Sequence, residues 1–156
     1  MSGLQFSSAT ITPILGNIKL RDQRTYSSPQ WSRVVLVQGF SRWQIRAIRK
    51  ILELLSLPTD WDSYGSRPPT QAAVTGAIQL IMAIDLDNFL LPRVIPVSGG
   101  GVQLEWSFGV REIEIEVDDD GLVEYLKTER GRPIEESQIG LADLTGIRSL
   151  LMWLTT

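Results

Sequence analysis

Histidine and cysteine are both absent from this chain. Their absence removes the usual zinc sites, haem ligation, Ser-His-Asp triads and cysteine nucleophiles. Disulfides go with them, so packing alone must hold the fold. Chemistry is left to carboxylates, Lys, Arg, Ser, Thr and Tyr. No set of these has the spacing of a catalytic, cofactor-binding or metal-ligating motif. No residue is therefore assigned to those roles, and no cofactor is expected. Three constellations remain that suit binding, one acidic, one basic and one aromatic.

The acidic one lies in Arg111-Glu-Ile-Glu-Ile-Glu-Val. Its alternation puts Glu112, Glu114 and Glu116 on one face of a strand. Gln103 and Glu105 of the preceding alternating run fall beside them. Like charges so placed repel, by about 0.2–1 kcal/mol per directly opposed pair. Such a face suits a basic partner, or a hard divalent cation that takes oxygen ligands. It serves equally as a solvated face that discourages edge pairing, and nothing in the spacing fixes a coordination geometry. Asp118, Asp119 and Asp120, with Glu124 and Lys127, invite comparison with metal-dependent nucleases. Glu124 and Lys127, however, have opposite parity and point to opposite faces of a strand. Asp118-Asp-Asp-Gly121 reads instead as a hairpin turn.

The basic constellation is Arg42, Arg46, Arg49 and Lys50, a stripe at helical spacing. It suits an ordinary solvated face first, a protein contact second and nucleic acid third. A net charge of −3 argues against the last, and Glu53 lies beside Arg49 and Lys50. The aromatic constellation is Trp61-Asp62-Ser63-Tyr64-Gly65, followed by Pro68-Pro69. Aromatic residues on a stiffened loop make binding anchors. The structural alternative has Trp61 and Tyr64 plugging the end of a helical layer while Asp62 caps loop amides.

The elements that must position these residues follow from periodicity. Ser41 is a good N-cap. Ile45, Ile48, Leu52 and Leu55 recur on one helical face, widened by Ile51 and Leu54, and Pro58 ends that helix. Thr70 caps a second helix with Val74, Ala77, Ile78, Ile81 and Ile84 inward. Arg93–Val97 reads as a strand that Pro96 confines to an edge. Val102–Trp106, Arg111–Val117 and Leu122–Lys127 follow through hairpin links, and Arg130-Gly-Arg-Pro reads as loop. Leu141, Leu144, Ile147, Leu151 and Leu154 mark a last helix. The expected fold is α+β: a two-layer sandwich, with a four-stranded antiparallel meander covered on one face by about three helices. Trp106 should be buried between the layers, in register with Val102 and Leu104.

At 156 residues and 43% hydrophobic content, the length suits one domain with a real core. Residues 1–30 lack a sustained period and read as an N-terminal arm with enough apolar side chains to dock. Residues 31–156 read as the single domain, opening on a short strand over 31–37. The start of the chain lacks the pattern of a secretory signal. No apolar run reaches the roughly 18 residues of a membrane span. The expectation is a cytoplasmic protein without a membrane partner.

Trp61-Asp-Ser-Tyr-Gly with Pro68-Pro69, then Arg93-Val-Ile-Pro, Gly99-Gly-Gly-Val-Gln-Leu-Glu-Trp and Glu114-Ile-Glu-Val-Asp, resembles a family of short bacterial proteins with no established activity. The likeness covers about residues 50–127. It implies a small bacterial gene product, encoded beside a partner gene, and supplies no catalytic residues. The leading expectation is a non-catalytic protein-binding module, the partner or antitoxin-like member of a two-gene unit, with a protein partner or a homo-oligomeric state. The runner-up is a Mg²⁺-dependent, carboxylate-based hydrolase of phosphate esters or nucleic acid. The third is a nucleic-acid binder using the basic stripe. Where the carboxylates gather separates the first two: convergence in a pocket favours the enzyme, and an open face favours the binder.

Overall fold

A helix begins where Ser41 leaves the helical conformation to its successors. In the computed structural model, which describes residues 39–156, helix α1 runs over Arg42–Glu53. The Gln44 side-chain oxygen accepts a hydrogen bond from the Ser41 backbone N–H at 2.8 Å, satisfying a donor that the first turn leaves open. A short 3₁₀ turn, Leu54–Ser56, tightens the exit. Helix α2 spans Gln71–Ala83, and the Thr70 hydroxyl accepts from Ala73 N–H as its cap. Helix α3 spans Leu144–Thr155 and is capped by Asp143. The arm expected at 1–30 and the strand expected at 31–37 lie outside the described residues.

The face that α1 buries is not the expected one. Trp43, Gln44, Ala47 and Ile51 are buried, whereas Leu52 and Leu55 are 44% and 51% exposed. The helix is turned by roughly one residue's step, about 100°, from the stripe of Ile45, Ile48, Leu52 and Leu55. Hydrogen bonding explains the turn. Gln44 Nε2 donates to the carbonyls of Ile81 and Ile84 at 2.9 and 3.0 Å, groups that the end of α2 leaves without helical partners. Trp43 Nε1 donates to the Leu86 carbonyl at 2.9 Å. Ala47, on the same side, is fully buried.

The sheet has five strands, not four. They are β1 (Arg93–Val97), β2 (Gly101–Phe108), β3 (Arg111–Val117), β4 (Val123–Glu129) and β5 (Arg132–Gln138), in the order β1-β2-β3-β4-β5, every neighbouring pair antiparallel. Pro96 sits on an edge strand, as its missing N–H requires. The stretch read as loop is the turn Arg130-Gly131 and the start of β5. Every residue of β5 is exposed, so the strand shows no apolar alternation. Its backbone ladder to β4 makes it a strand, with a register shift at Lys127/Thr128.

One face of this meander carries the core. Val102, Leu104, Trp106, Ile113, Ile115 and Val117 are all buried, packed under α2 and α3. Trp106 is 1% exposed, and its indole N–H donates to the Leu90 carbonyl at 2.9 Å. Gly76 is what lets α2 come down: a Cβ there would lie 2.8 Å from Val117 Cγ1. Helix α1 packs mainly on α2 and meets the sheet chiefly at β1. The two-layer α+β arrangement is thus present, with all three described helices on one side of the sheet.

Candidate functional site

Alternation places the other half of the strand residues on the face turned away from the helices. Register aligns Arg93, Glu105, Glu114, Leu126 and Glu136 in one row across all five strands. A second row holds Ile95, Gln103, Glu116, Glu124 and Gln138. Glu112 stands opposite Ser107 in a third. Six glutamates therefore share one open face. Glu105 directly opposes Glu114, and Glu116 directly opposes Glu124. Gln103 Nε2 bridges the first pair, donating to Glu105 at 2.8 Å and to Glu114 at 3.1 Å. Arg93 pairs with Glu105 at 3.1 Å on the β1 edge.

The electrostatics follow. Partial burial, and then the charges of Glu105 and Glu112, hold the Glu114 carboxyl above the usual range. Partial burial, then Glu124, Asp118 and Glu114, do the same for Glu116. A cation brought to this face would relieve both shifts. The carboxylates are spread along the strands, and no group of three or more among the described residues has the geometry of a metal site. Glu124 faces outward with Glu116, and Lys127 faces inward opposite Ile113, on opposite sides as their parity requires.

The Trp61 loop lies elsewhere, at one end of the sheet. It is built from its own polar groups. Asp62 accepts from Tyr64 N–H at 2.9 Å and from the Ser66 hydroxyl at 2.6 Å. Those bonds, the Ser66 hydroxyl foremost, hold its carboxyl below the usual range. Asp60 accepts from Gly65 N–H at 2.6 Å, and Trp61 Nε1 donates to the Arg67 carbonyl at 3.1 Å. Asp62 therefore caps loop amides, and Trp61 is half-buried against its own loop. Tyr64 plugs nothing: it is 92% exposed.

Arg67 ties this loop to two sheet turns, donating to the Gly99 carbonyl at 2.6 Å and pairing with Asp119. Thr70 adds a hydroxyl bond to the Asp119 carbonyl at 2.8 Å. Gly100 is required where they meet: its φ is +101°, and a Cβ would sit 3.1 Å from Arg67 Nε. The Trp61 loop, the Gly99-Gly100 turn and the Asp119 turn, far apart in sequence, thus come together as one hydrogen-bonded end of the sheet.

Arg42, Arg46, Arg49 and Lys50 occupy a third surface, the exposed side of α1, and make no ion pair among the described residues. The sequence candidates therefore form three separate surfaces. A fourth polar group lay outside the expectations. Tyr125, Lys127 and Glu135 face the helical side and line a cleft of about 300 Å³ beside α3. Glu135 accepts from Lys127 Nζ at 2.7 Å and from the Tyr125 hydroxyl at 2.5 Å. Those bonds lower the Glu135 pKa and raise that of Tyr125. Lys127 also lies 4.7 Å over the Trp153 ring. The sequence signal for this group was parity within β4, but Glu135 belongs to the strand that alternation did not reveal.

No helix among the described residues is long and apolar enough to cross a membrane. Comparison with family models, with curated proteins and with solved structures finds no match.

Proposed function

We propose that this protein is a non-catalytic protein-binding module and that the open acidic face of its sheet receives a basic segment of its partner. One observation carries the reading: six glutamates from β2, β3, β4 and β5 share a face that no described helix covers. Partial burial and then neighbouring carboxylates raise the pKa of two of them, Glu114 and Glu116. A flat face of one sign steers an oppositely charged surface toward it and rejects like-charged ones. The spread of these carboxylates along the strands supports the binding reading over the hydrolase one. The setting that fits is the partner or antitoxin-like member of a bacterial two-gene unit, as the motif resemblance implies.

The test replaces Glu112, Glu114 and Glu116 by Gln. Wild-type and triple-variant proteins serve as bait for basic proteins in a bacterial lysate, at low and high salt. The reading expects salt-sensitive capture by wild type and a clear loss in the variant. Equal capture by both rules it out. Thermal melts with Mg²⁺ give a second readout, since a ligand stabilises only the state that binds it. No shift is expected. A rise of several degrees in wild type, absent in the variant, points to the carboxylate enzyme instead.

A further inference from the structure

The exposed side of α1 has two chemistries in adjacent stripes. Arg42, Arg46, Arg49 and Lys50 form one, all exposed. Half-buried Ile45 and Ile48, with the exposed Leu52 and, in the 3₁₀ turn that follows, Leu55, form the other. The sheet face that no described helix covers offers the complements. Leu126 sits between Glu114 and Glu136 with Glu124 beside it, and Ile95 lies on the β1 edge opposite Gln103; both are half-buried aliphatic residues in the outward rows. The sizes agree as well. A helix of 12 residues is about 18 Å long, and five strands about 4.8 Å apart span about 19 Å. These two surfaces cannot meet within one chain, because α1 belongs to the helical layer and the glutamates face away from that layer.

We propose that the partner of the acidic face is a second copy of this chain, with α1 of one molecule laid across the open sheet face of the next. This rests on the reading that the sheet face receives a basic segment, and it names that segment. The two contact surfaces differ, so the interface is head to tail. Each added copy leaves one helix and one sheet face exposed, and assembly proceeds to a closed ring or an open filament. Pairing Arg42, Arg46 and Arg49 with the glutamates removes the like-charge opposition across the strands. The adjoining aliphatic stripe covers Leu126 and Ile95 and takes Leu52 and Leu55 out of water. Charge pairs at the rim of such an interface are screened over about 10 Å at 0.1 M salt, so association weakens as salt rises.

Charge exchange tests this on the full chain. One variant carries Arg42→Glu, Arg46→Glu and Arg49→Glu. The other carries Glu112→Lys, Glu124→Lys and Glu136→Lys, all at exposed positions. Sedimentation velocity at low salt should show wild type forming concentration-dependent oligomers. Each variant alone should associate at least about tenfold more weakly, and their equimolar mixture should regain assembly, because each supplies the surface the other now needs. Melting curves establish that both variants fold. If either does not, the Gln versions of the same positions replace it, with the loss in each and the salt sensitivity of wild type as readouts. A wild type that stays monomeric overturns the proposal, as does association that survives both reversals or a mixture that stays apart. A monomeric wild type whose sheet-face variant still loses capture of a basic lysate protein overturns the self-association alone. Intact capture by that variant removes the sheet-face reading too.

Discussion

Glu114 and Glu116 show how one residue can be placed against its own stability. Their carboxyls titrate above the ordinary value of 4.5 in the folded chain, first because they are partly buried and then because like charges surround them. A raised folded pKa means that the folded state holds the proton more tightly than the unfolded one. The stability this contributes is full below the unfolded value and is lost as pH rises through the raised folded value. Glu114→Gln with Glu116→Gln should therefore exceed wild type near neutral pH, by about 0.2–1 kcal/mol for each opposed pair relieved. The gap should close on acidification below the ordinary carboxyl range. Denaturant midpoints measured across the acid range check both signs. Trp106 is the opposite case, a residue placed wholly for stability. It is 1% exposed, with its indole N–H bonded to the Leu90 carbonyl. Trp106→Ala should cost about 3–5 kcal/mol, and urea unfolding would show it as a lower midpoint.

Two elements depend on contacts that lie outside themselves. Helix α1 is oriented by Gln44, whose amide closes the carbonyl end of α2. Removing it with Gln44→Ala leaves those carbonyls buried without partners, at a cost of about 1–3 kcal/mol. The same substitution should leave helix content nearly unchanged by circular dichroism, since alanine's helix propensity offsets the lost bond to Ser41 N–H. Strand β5 depends on a two-residue turn. Arg130 and Gly131 both have positive φ, 52° and 70°, the conformation of a type I′ hairpin that favours Asn-Gly. Arginine is strained there. Arg130→Asn should stabilise the chain by about 0.5–1 kcal/mol, seen as a higher denaturant midpoint with an unchanged slope.

For the whole molecule, the core closes among the described elements. The sheet's covered face, α1, α2 and α3 bury their apolar side chains against one another, and Ser41–Thr156 forms a compact unit by itself. Deleting residues 2–28 should accordingly leave the thermal transition nearly where it is; a large drop in melting temperature would show that the arm belongs to the core. Much of this architecture was legible in advance. Four strands, three helices, the burial of Trp106 and the outward set of Glu112, Glu114 and Glu116 follow from periods of two and 3.6 residues, which are local properties of the chain. Strand β5 was not legible, because Arg132–Gln138 has Ile134 as its only aliphatic side chain and pairs through backbone groups that every sequence shares. Nor was the rotation of α1, since an apolar stripe shows that a helix has a preferred side but not which neighbour will offer Gln44 its carbonyls. The separation of the acidic, basic and aromatic candidates into three surfaces was likewise decided in three dimensions. Local periodicity assigns each residue to a face of its own element, whereas the direction that face takes depends on packing between residues far apart in the chain.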